Sequence, residues 1–460
     1  MTEAPSTRKN PFTVLAHRQY RLLFIGTTMS MLAFGMMQVV QGVVAFDLTG
    51  KNGAVGFVGL GQGIAMLFLS PVGGTLSDRV SKKRMLTFAQ FVIGFMFGVI
   101  AVLIATELIT ILLLAGASLI LGCMYSLMGP TRQAWVGDLL TGDDLASGVG
   151  LQQLMMNVTR IVGPLVAGVL VAAEPINTSG TYFAMAGLFA LVVMTLSLMQ
   201  PTPPRPRAHA TSVKADLLEG FRYIRDTPDV RMLAVIFMGV VLSGFSYQTL
   251  MPGYLVNALG HPATHLGLLF STTAVGGIAV NLALASRPPG NSIAVMLFCG
   301  SGLAVSLAML ALAPSFAVAL AVCAVLGASS SGFQMLNNVN LMERSESAYL
   351  GRVMAVTMMA FGVNSIVSYP IGVVADGIGE RATLGGLACA CMTVVLLGVF
   401  AVRSQTRTKA GAGRAGSRGG HNSRPVAWSR PHQKRADHLR CARTFLFWRN
   451  ISWQFDSMAR

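Results

Sequence analysis

Residues 73–84 read Gly-Gly-Thr-Leu-Ser-Asp-Arg-Val-Ser-Lys-Lys-Arg, which places one acid and four bases within twelve residues. Long apolar runs lie on both sides, although charged residues make up only 11% of the 460-residue chain. A soluble protein of this length needs a more highly charged surface. The apolar runs around this stretch therefore decide the fold, and the stretch itself should connect two of them.

Apolar runs long enough to cross a bilayer recur along the chain, whose residues are 53% hydrophobic and whose mean hydropathy is +0.61. Such runs cross the membrane as helices, because a helix satisfies its own backbone hydrogen bonds in lipid. We therefore predict an all-α polytopic membrane protein with twelve transmembrane helices. The predicted spans cover residues 22–46, 54–76, 85–106, 108–131, 145–173, 180–200, 231–256, 264–285, 291–313, 314–340, 350–375 and 381–403.

The distribution of Lys and Arg predicts the orientation. With a cytoplasmic N-terminus, the segments on that side carry nineteen Lys and Arg residues before residue 404, and the outer segments carry two, Lys51 and Arg381. Basic residues beside a span favour the cytoplasmic side. We therefore expect a multi-pass protein of the cell membrane with both termini in the cytoplasm.

Composition divides the chain into four regions, which are an N-terminal six-helix bundle (1–200), a cytoplasmic linker (201–230), a C-terminal six-helix bundle (231–403) and a basic tail (404–460). The linker begins Pro-rich and then places apolar residues at helical spacing among charges, which predicts an amphipathic helix on the inner membrane surface. The tail carries twelve Lys and Arg residues and two acids. We expect it to be disordered and to lie on anionic lipid, and no motif in it indicates a nucleic acid partner.

A weak internal repeat relates the two predicted bundles. Arg21 and Arg231 each precede the first span of a half and are 210 positions apart, and the prolines late in the fifth span of each half, Pro164 and Pro370, are 206 positions apart. Six spans repeated twice are typical of transporters whose two bundles rock against each other.

The residue pattern supports neither an enzyme active site nor a metal-binding site. Walker-type phosphate loops are absent, and Ser, His and Asp residues cannot be assembled within the spans. His261 and His265 have a spacing of four residues but no carboxylate partner. We therefore predict a protein that is not an enzyme, has no cofactor or metal site, and uses no ATP.

The charged stretch at residues 73–84 resembles the cytoplasmic signature of the major facilitator superfamily, a Gly-x-x-x-Asp-Arg pattern and a basic cluster between the second and third spans. The matching residues are Gly74, Asp78, Arg79, Lys82, Lys83 and Arg84, with Ser81 at a position where the family has glycine. Residues 130–134, 157–164 and 351–353 extend the likeness to bacterial drug and siderophore exporters, the group that contains the enterobactin exporter and macrolide efflux proteins. This resemblance implies the major facilitator fold, with twelve helices in two pseudo-symmetric six-helix bundles.

A helix-5 motif is also similar to the antiporter motif of the exporters. It comprises Gly163, Pro164 and Gly168, and Ala167 replaces one of its usual glycines. The resemblance implies export by alternating access.

The resemblance and the charges together predict two gates on the cytoplasmic side. We expect Asp78 to pair with Arg352 and with the N-terminus of the eleventh span, since a helix N-terminus attracts negative charge. The loop between spans 8 and 9 has lost its acid, whereas the start of span 5 has gained two. We therefore expect a second gate pair of reversed polarity, between Arg287 and either Asp143 or Asp144.

Polar residues within the spans predict a central cavity. Arg160 lies near the middle of the membrane, where an ionised side chain should face the bundle interior. It could control a substrate anion or the coupling proton. The remaining candidates for the cavity wall are Gln38, Gln41, Tyr125, Gln152, Asn157, Tyr247, Gln248 and Asn364.

These features predict a secondary active transporter, a monomer in the lipid bilayer that exports a small amphiphilic molecule such as a drug or siderophore. Protons are the expected coupling ion, with Asp47 and Asp376 as titratable candidates. Two alternatives stay open at this point. One is an importer of the same fold for a lysophospholipid or another metabolite, and the other is a membrane sensor or scaffold that transports nothing.

Overall fold

The computed structural model describes the backbone of residues 11–79, 81–174, 176–200, 213–287, 289–346 and 349–418. Side chains are described for these residues except 11, 12, 70–79, 130, 134, 143, 146, 213–217 and 405–418. The linker before residue 213 and most of the tail from residue 404 therefore lie outside the described part.

The described residues form fourteen α-helices and no strand. The helices are α1 (Arg18–Asp47), α2 (Asn52–Arg79), α3 (Lys82–Ala105), α4 (Ile111–Leu139), α5 (Gly142–Ala172), α6 (Asn177–Ser197), α7 (Val213–Asp226), α8 (Pro228–Gly244), α9 (Tyr247–Gly253), α10 (Leu266–Ser286), α11 (Ser292–Leu312), α12 (Phe316–Arg344), α13 (Leu350–Ile378) and α14 (Glu380–Arg418). A π-helical segment, Tyr254–Ala258, continues α9, and short 3-10 helices occupy Pro11–Ala16 and Ala263–His265.

Twelve helical segments in the described part are long and apolar enough to cross a membrane, which confirms the predicted number of spans. Helices α8 and α9 together with the π-helical segment make up the seventh span, Pro228–Ala258. We call α1–α6 the first half and α8–α14 the second half.

The charged stretch between the second and third spans is more helical than expected. Helix α2 continues to Arg79 and α3 begins at Lys82, so only residues 80 and 81 separate them. Most of the stretch is therefore helical, since residues 73–79 continue α2 and residues 82–84 begin α3.

Glycines allow close helix contacts within and between the halves. Gly35 of α1 lies against α5, where a Cβ added to it would be 3.2 Å from the Cα of Gly163. In the second half, a Cβ on Gly327 of α12 would overlap the backbone of Thr273 in α10. Small residues at such crossings let helices approach closely in lipid, where packing drives association.

The two halves meet along α2 with α13 and along α5 with α10. We name the end of the bundle that carries Lys82, Lys83 and Arg352 the basic face, and the opposite end, with Asn52 and Asp376, the far face. Close contacts between the halves extend from Gly63 against Ser365 near the middle of the bundle to the far face.

Candidate functional site

A cavity of about 120 Å³ lies between the two halves. Drug-sized ligands occupy cavities of about 300–1,000 Å³, so this one has to widen before it holds such a molecule. Its polar wall consists of Gln38, Gln41, Gln62, Gln248, Thr249, Asn364, Ser365 and Ser368. These side chains come from α1, α2, α9 and α13, so both halves contribute hydrogen-bonding groups and no carboxylate lines it.

Four of the expected cavity residues, Gln38, Gln41, Gln248 and Asn364, lie on this wall. The side chain of Asn364 is oriented by Ser246, whose hydroxyl donates to its Oδ1 at 2.8 Å. Sequence reasoning missed Gln62, although a glutamine in the middle of an apolar span carries the same signal as Gln38. Binding of a substrate by these amides stays a prediction.

The other expected cavity residues lie elsewhere in the bundle interior. Tyr247 is 3% exposed, and Asn157 is half-buried on α5. Tyr125 packs edge-on against Phe34 of α1, with ring centroids 4.8 Å apart. The Tyr125 hydroxyl and the side-chain nitrogen of Gln152 are buried and have no hydrogen-bond partner among the described residues. These groups therefore add polar atoms to the interior outside the cavity itself.

Arg160 is exposed on α5 and does not line the cavity described above. On the same helix, Gly163 contacts α1 and the Ile161 carbonyl accepts a hydrogen bond from Ser271 of α10. At 3.6 residues per turn, Arg160 lies on the face of α5 between these two contacts. It forms no hydrogen bond or ion pair within the described part of the chain. Its role in the central cavity stays a prediction.

Lys82 and Lys83 have specific partners on the basic face. Lys82 pairs with Asp138 near the end of α4, and both side chains are largely buried. The Lys83 ammonium donates to the carbonyl oxygens of Ser197, at 2.8 Å, and Met199, at the C-terminus of α6. A cation is favourable there because helix carbonyls lack partners at that end. These two lysines thus tie α3 to α4 and α6, whereas Arg84 is exposed.

Arg352 at the start of α13 pairs with Glu219 of the linker helix α7, at 3.1 Å between Nη1 and Oε1. Two rings reinforce this contact, since Tyr223 stacks on Tyr349 with centroids 4.4 Å apart and nearly parallel planes. The backbone N–H of Glu346 donates to the Tyr223 hydroxyl at 3.0 Å. Helix α7 is therefore docked on the first turns of α13, a partner that the sequence did not reveal.

Asp78, the predicted partner of Arg352, lies in the last turn of α2. Gly74, Asp78 and Arg79 belong to the last turns of α2, but their side chains lie outside the described set. The pairing of Asp78 with Arg352 stays a prediction.

The acids at the start of α5 form a different contact from the expected one. Asp144 accepts a hydrogen bond from the His17 ring at 3.4 Å, before the first span. Arg287 is exposed at the end of α10, and the Asp143 side chain lies outside the described set. A gate pair between Arg287 and either acid stays a prediction.

A carboxylate cluster closes the far face. The Asp376 carboxylate of α13 accepts the backbone N–H groups of Asn52, at 2.7 Å, and Gly53, at 2.8 Å, in the first turn of α2. The Asn52 side-chain nitrogen donates to Asp376 at 3.2 Å and to Glu380 at 2.9 Å, and Glu380 also accepts from Asn257 at 2.7 Å. An acid of the second half thus caps a helix of the first half, where N–H groups lack partners.

The helix-5 motif lies at a second contact between the halves. Gly163 and Pro164 approach Gly35 of α1. Gly168 approaches Gly267 of α10, where a Cβ on Gly168 would be 3.3 Å from the Gly267 Cα. The glycines of the motif therefore let α5 pack closely against one helix of each half, and this close packing explains why they are small residues.

Comparison with known proteins agrees with this architecture. The chain is 26% identical over 347 residues to the enterobactin exporter EntS of Shigella boydii serotype 18 (strain CDC 3083-94 / BS512), which covers 73% of this chain and 80% of that relative. The same figures hold for EntS of Escherichia coli O1:K1 / APEC.

Solved structures are similar in fold at low sequence identity. A mutant of the nucleoside transporter NupG gives a TM-score of 0.69 at 15% identity and covers 83% of this chain and 99% of its own. A POT family transporter in complex with 5-aminolevulinic acid gives 0.67 at 11% identity and covers 83% and 95%. The model of the Major Facilitator Superfamily matches residues 23–369, which is most of the transmembrane region, and the chain therefore belongs to the Major Facilitator Superfamily.

Proposed function

We propose that this transporter exports a small amphiphilic molecule, such as a drug or siderophore, by alternating access driven by protons. The observation that carries the proposal is the cavity between the halves, whose wall combines amide side chains with apolar residues from both halves. Such a wall suits a ligand with an apolar body and several hydrogen-bonding groups.

Two further observations support export. The relatives named enterobactin exporter align with this chain over 80% of their length. The helix-5 motif, which resembles that of exporters, lies where α5 contacts both α1 and α10. A rocking motion of the halves has to change this contact.

Efflux from cells that express the full chain tests the proposal. The panel should contain dyes, macrolides and iron chelators, with accumulation measured for each compound and with uptake measured in parallel. We expect reduced accumulation of at least one class, and loss of the effect when a protonophore collapses the proton gradient. Efflux that continues without a gradient would exclude proton coupling, and accumulation above that of control cells would indicate import.

A matched pair of variants links the effect to the cavity. Gln248→Leu removes two hydrogen-bonding groups from the wall and keeps a similar volume, so we expect weaker efflux. Thr393→Val changes an exposed residue of α14 and should leave efflux at the wild-type level. Equal efflux by both variants would show that transport does not use this wall.

A further inference from the structure

Within the described spans, two ionised side chains lie away from the helix ends, and both belong to arginines. Arg132 is seven residues before the end of α4, and Arg160 is twelve residues before the end of α5. Outside the linker helix α7, the described acids lie in the loops or in the terminal turns of the helices. The middle of the described spans therefore carries two positive charges and no negative one.

Arg132 is buried without a counter-ion among the described side chains. Its residue is 8% exposed, its Nη2 has no hydrogen-bond partner, and no ion pair reaches it within the described residues. A helical side chain leans toward the N-terminus of its helix, and Tyr125 lies two turns in that direction on the same face of α4. The Tyr125 hydroxyl is also buried and lacks a hydrogen-bond partner among the described residues.

Buried polar groups without partners are costly, and an unpaired buried charge is the most costly of them. In a membrane-spanning segment such a group marks a substrate or ion pathway. The Arg132 guanidinium and the Tyr125 hydroxyl both donate hydrogen bonds, and a guanidinium fits a carboxylate with two parallel bonds. Together they are complementary to an anion and poorly complementary to a cation.

We infer that Arg132, with Tyr125, binds the negatively charged group of the substrate, which is therefore an organic anion bearing a carboxylate or an ionised hydroxyl. This inference rests on the proposed function and adds the charge of the molecule to it.

Two xanthene dyes of similar shape and opposite charge provide the test. Carboxyfluorescein is the anionic probe and rhodamine 123 the cationic one, and their fluorescence anisotropy reports binding to the purified full chain in lipid nanodiscs. We expect carboxyfluorescein to bind roughly 10-fold or more tightly than rhodamine 123. Arg132→Gln should lose roughly 10- to 100-fold of the carboxyfluorescein affinity, while Arg132→Lys should lose less because it keeps the charge.

Arg222→Gln is the matched control, since it removes the same charge from an exposed position of α7 and should bind both dyes as the wild type does. Thermal unfolding without dye gives a readout that does not depend on the choice of probe. Because Arg132 is uncompensated, Arg132→Gln should unfold at a temperature equal to or above that of the wild type.

Three results would overturn the inference. These are rhodamine 123 binding as tightly as carboxyfluorescein, neither dye binding at all, and an Arg132→Gln variant that unfolds at a clearly lower temperature than the wild type. An Arg132→Gln variant that fails to fold would count as the third result. Binding of carboxyfluorescein with no efflux of any compound would instead contradict the proposed function and leave the anion site standing.

Discussion

Replacing Asp376 by Asn should weaken the closure of the far face. The Asp376 carboxylate accepts two backbone N–H groups from the first turn of α2, at 2.7 and 2.8 Å, and a third bond from the Asn52 side chain. Asparagine has nearly the same shape but carries no charge and only one acceptor oxygen. One of the N–H groups of α2 therefore loses its partner.

The size of the effect follows from these contacts. A charge at a helix N-terminus contributes about 0.3–1 kcal/mol, and a hydrogen bond to a charged group about 1.5–3 kcal/mol. Asp376 is exposed, so water replaces part of what is lost. We therefore expect Asp376→Asn to destabilise the closed far face by about 2 kcal/mol, which corresponds to a roughly 30-fold shift of the equilibrium toward an open far face.

Distances between spin labels measure this shift directly. Labels attached to Lys51→Cys and Gly377→Cys lie on opposite sides of the contact at exposed positions, and Cys389→Ser removes an exposed native thiol. The wild type should show mainly a short distance. Asp376→Asn should add a longer one.

Two further variants test whether the change in distance is specific to the Asp376 carboxylate. Glu380→Gln keeps an acceptor oxygen for the amide donors of Asn52 and Asn257, so its effect should be smaller than that of Asp376→Asn. Asp226→Asn removes an acid at the end of α7 and should leave the distances unchanged. A wild-type distance distribution in Asp376→Asn, or an equal change in Asp226→Asn, would refute the role of the carboxylate.

Three further perturbations have defined outcomes. Glu219→Gln removes the charged partner of Arg352 and should weaken the docking of α7 by less than about 1 kcal/mol. Amide hydrogen exchange in α7 should therefore accelerate a few-fold, and unchanged exchange would contradict the docking of α7. Gly327→Leu should reduce the yield of monodisperse protein in size-exclusion chromatography, because its side chain would overlap the backbone of α10, whereas Gly116→Leu at an open position should not. A chain that ends at residue 403 should retain efflux, since the cavity and the far-face contacts precede that residue, and loss of efflux would give the tail a role in transport.

The spans and part of the cavity wall follow from the sequence for a simple physical reason. An apolar run of sufficient length has one stable arrangement in lipid, and a glutamine within such a run has to face other polar groups. The apolar pattern alone therefore assigns Gln38, Gln41 and Gln248 to the interior. It does not say which of the interior residues share one cavity, because this depends on the rotation of each helix about its axis.

Long-range polar pairs could not be predicted from the sequence. Glu219 lies on a linker helix whose docking position depends on packing, so its bond to Arg352 has no local signal. Asp376 was expected only as a titratable candidate. Its role as a cap for α2 became visible once the two halves were placed together, because the acid and the helix start are 324 positions apart.

Opening the far face involves contacts that are individually weak. Asp376 has to leave the first turn of α2, and Gly168 has to move away from Gly267. These are hydrogen bonds and glycine packing, so their total is within reach of the binding energy of one ligand. A ligand shifts such an equilibrium only by the difference between its affinities for the two states. A substrate anion that neutralises Arg132 in only one of the two states provides this difference, whereas a substrate without negative charge leaves the buried cation equally uncompensated in both.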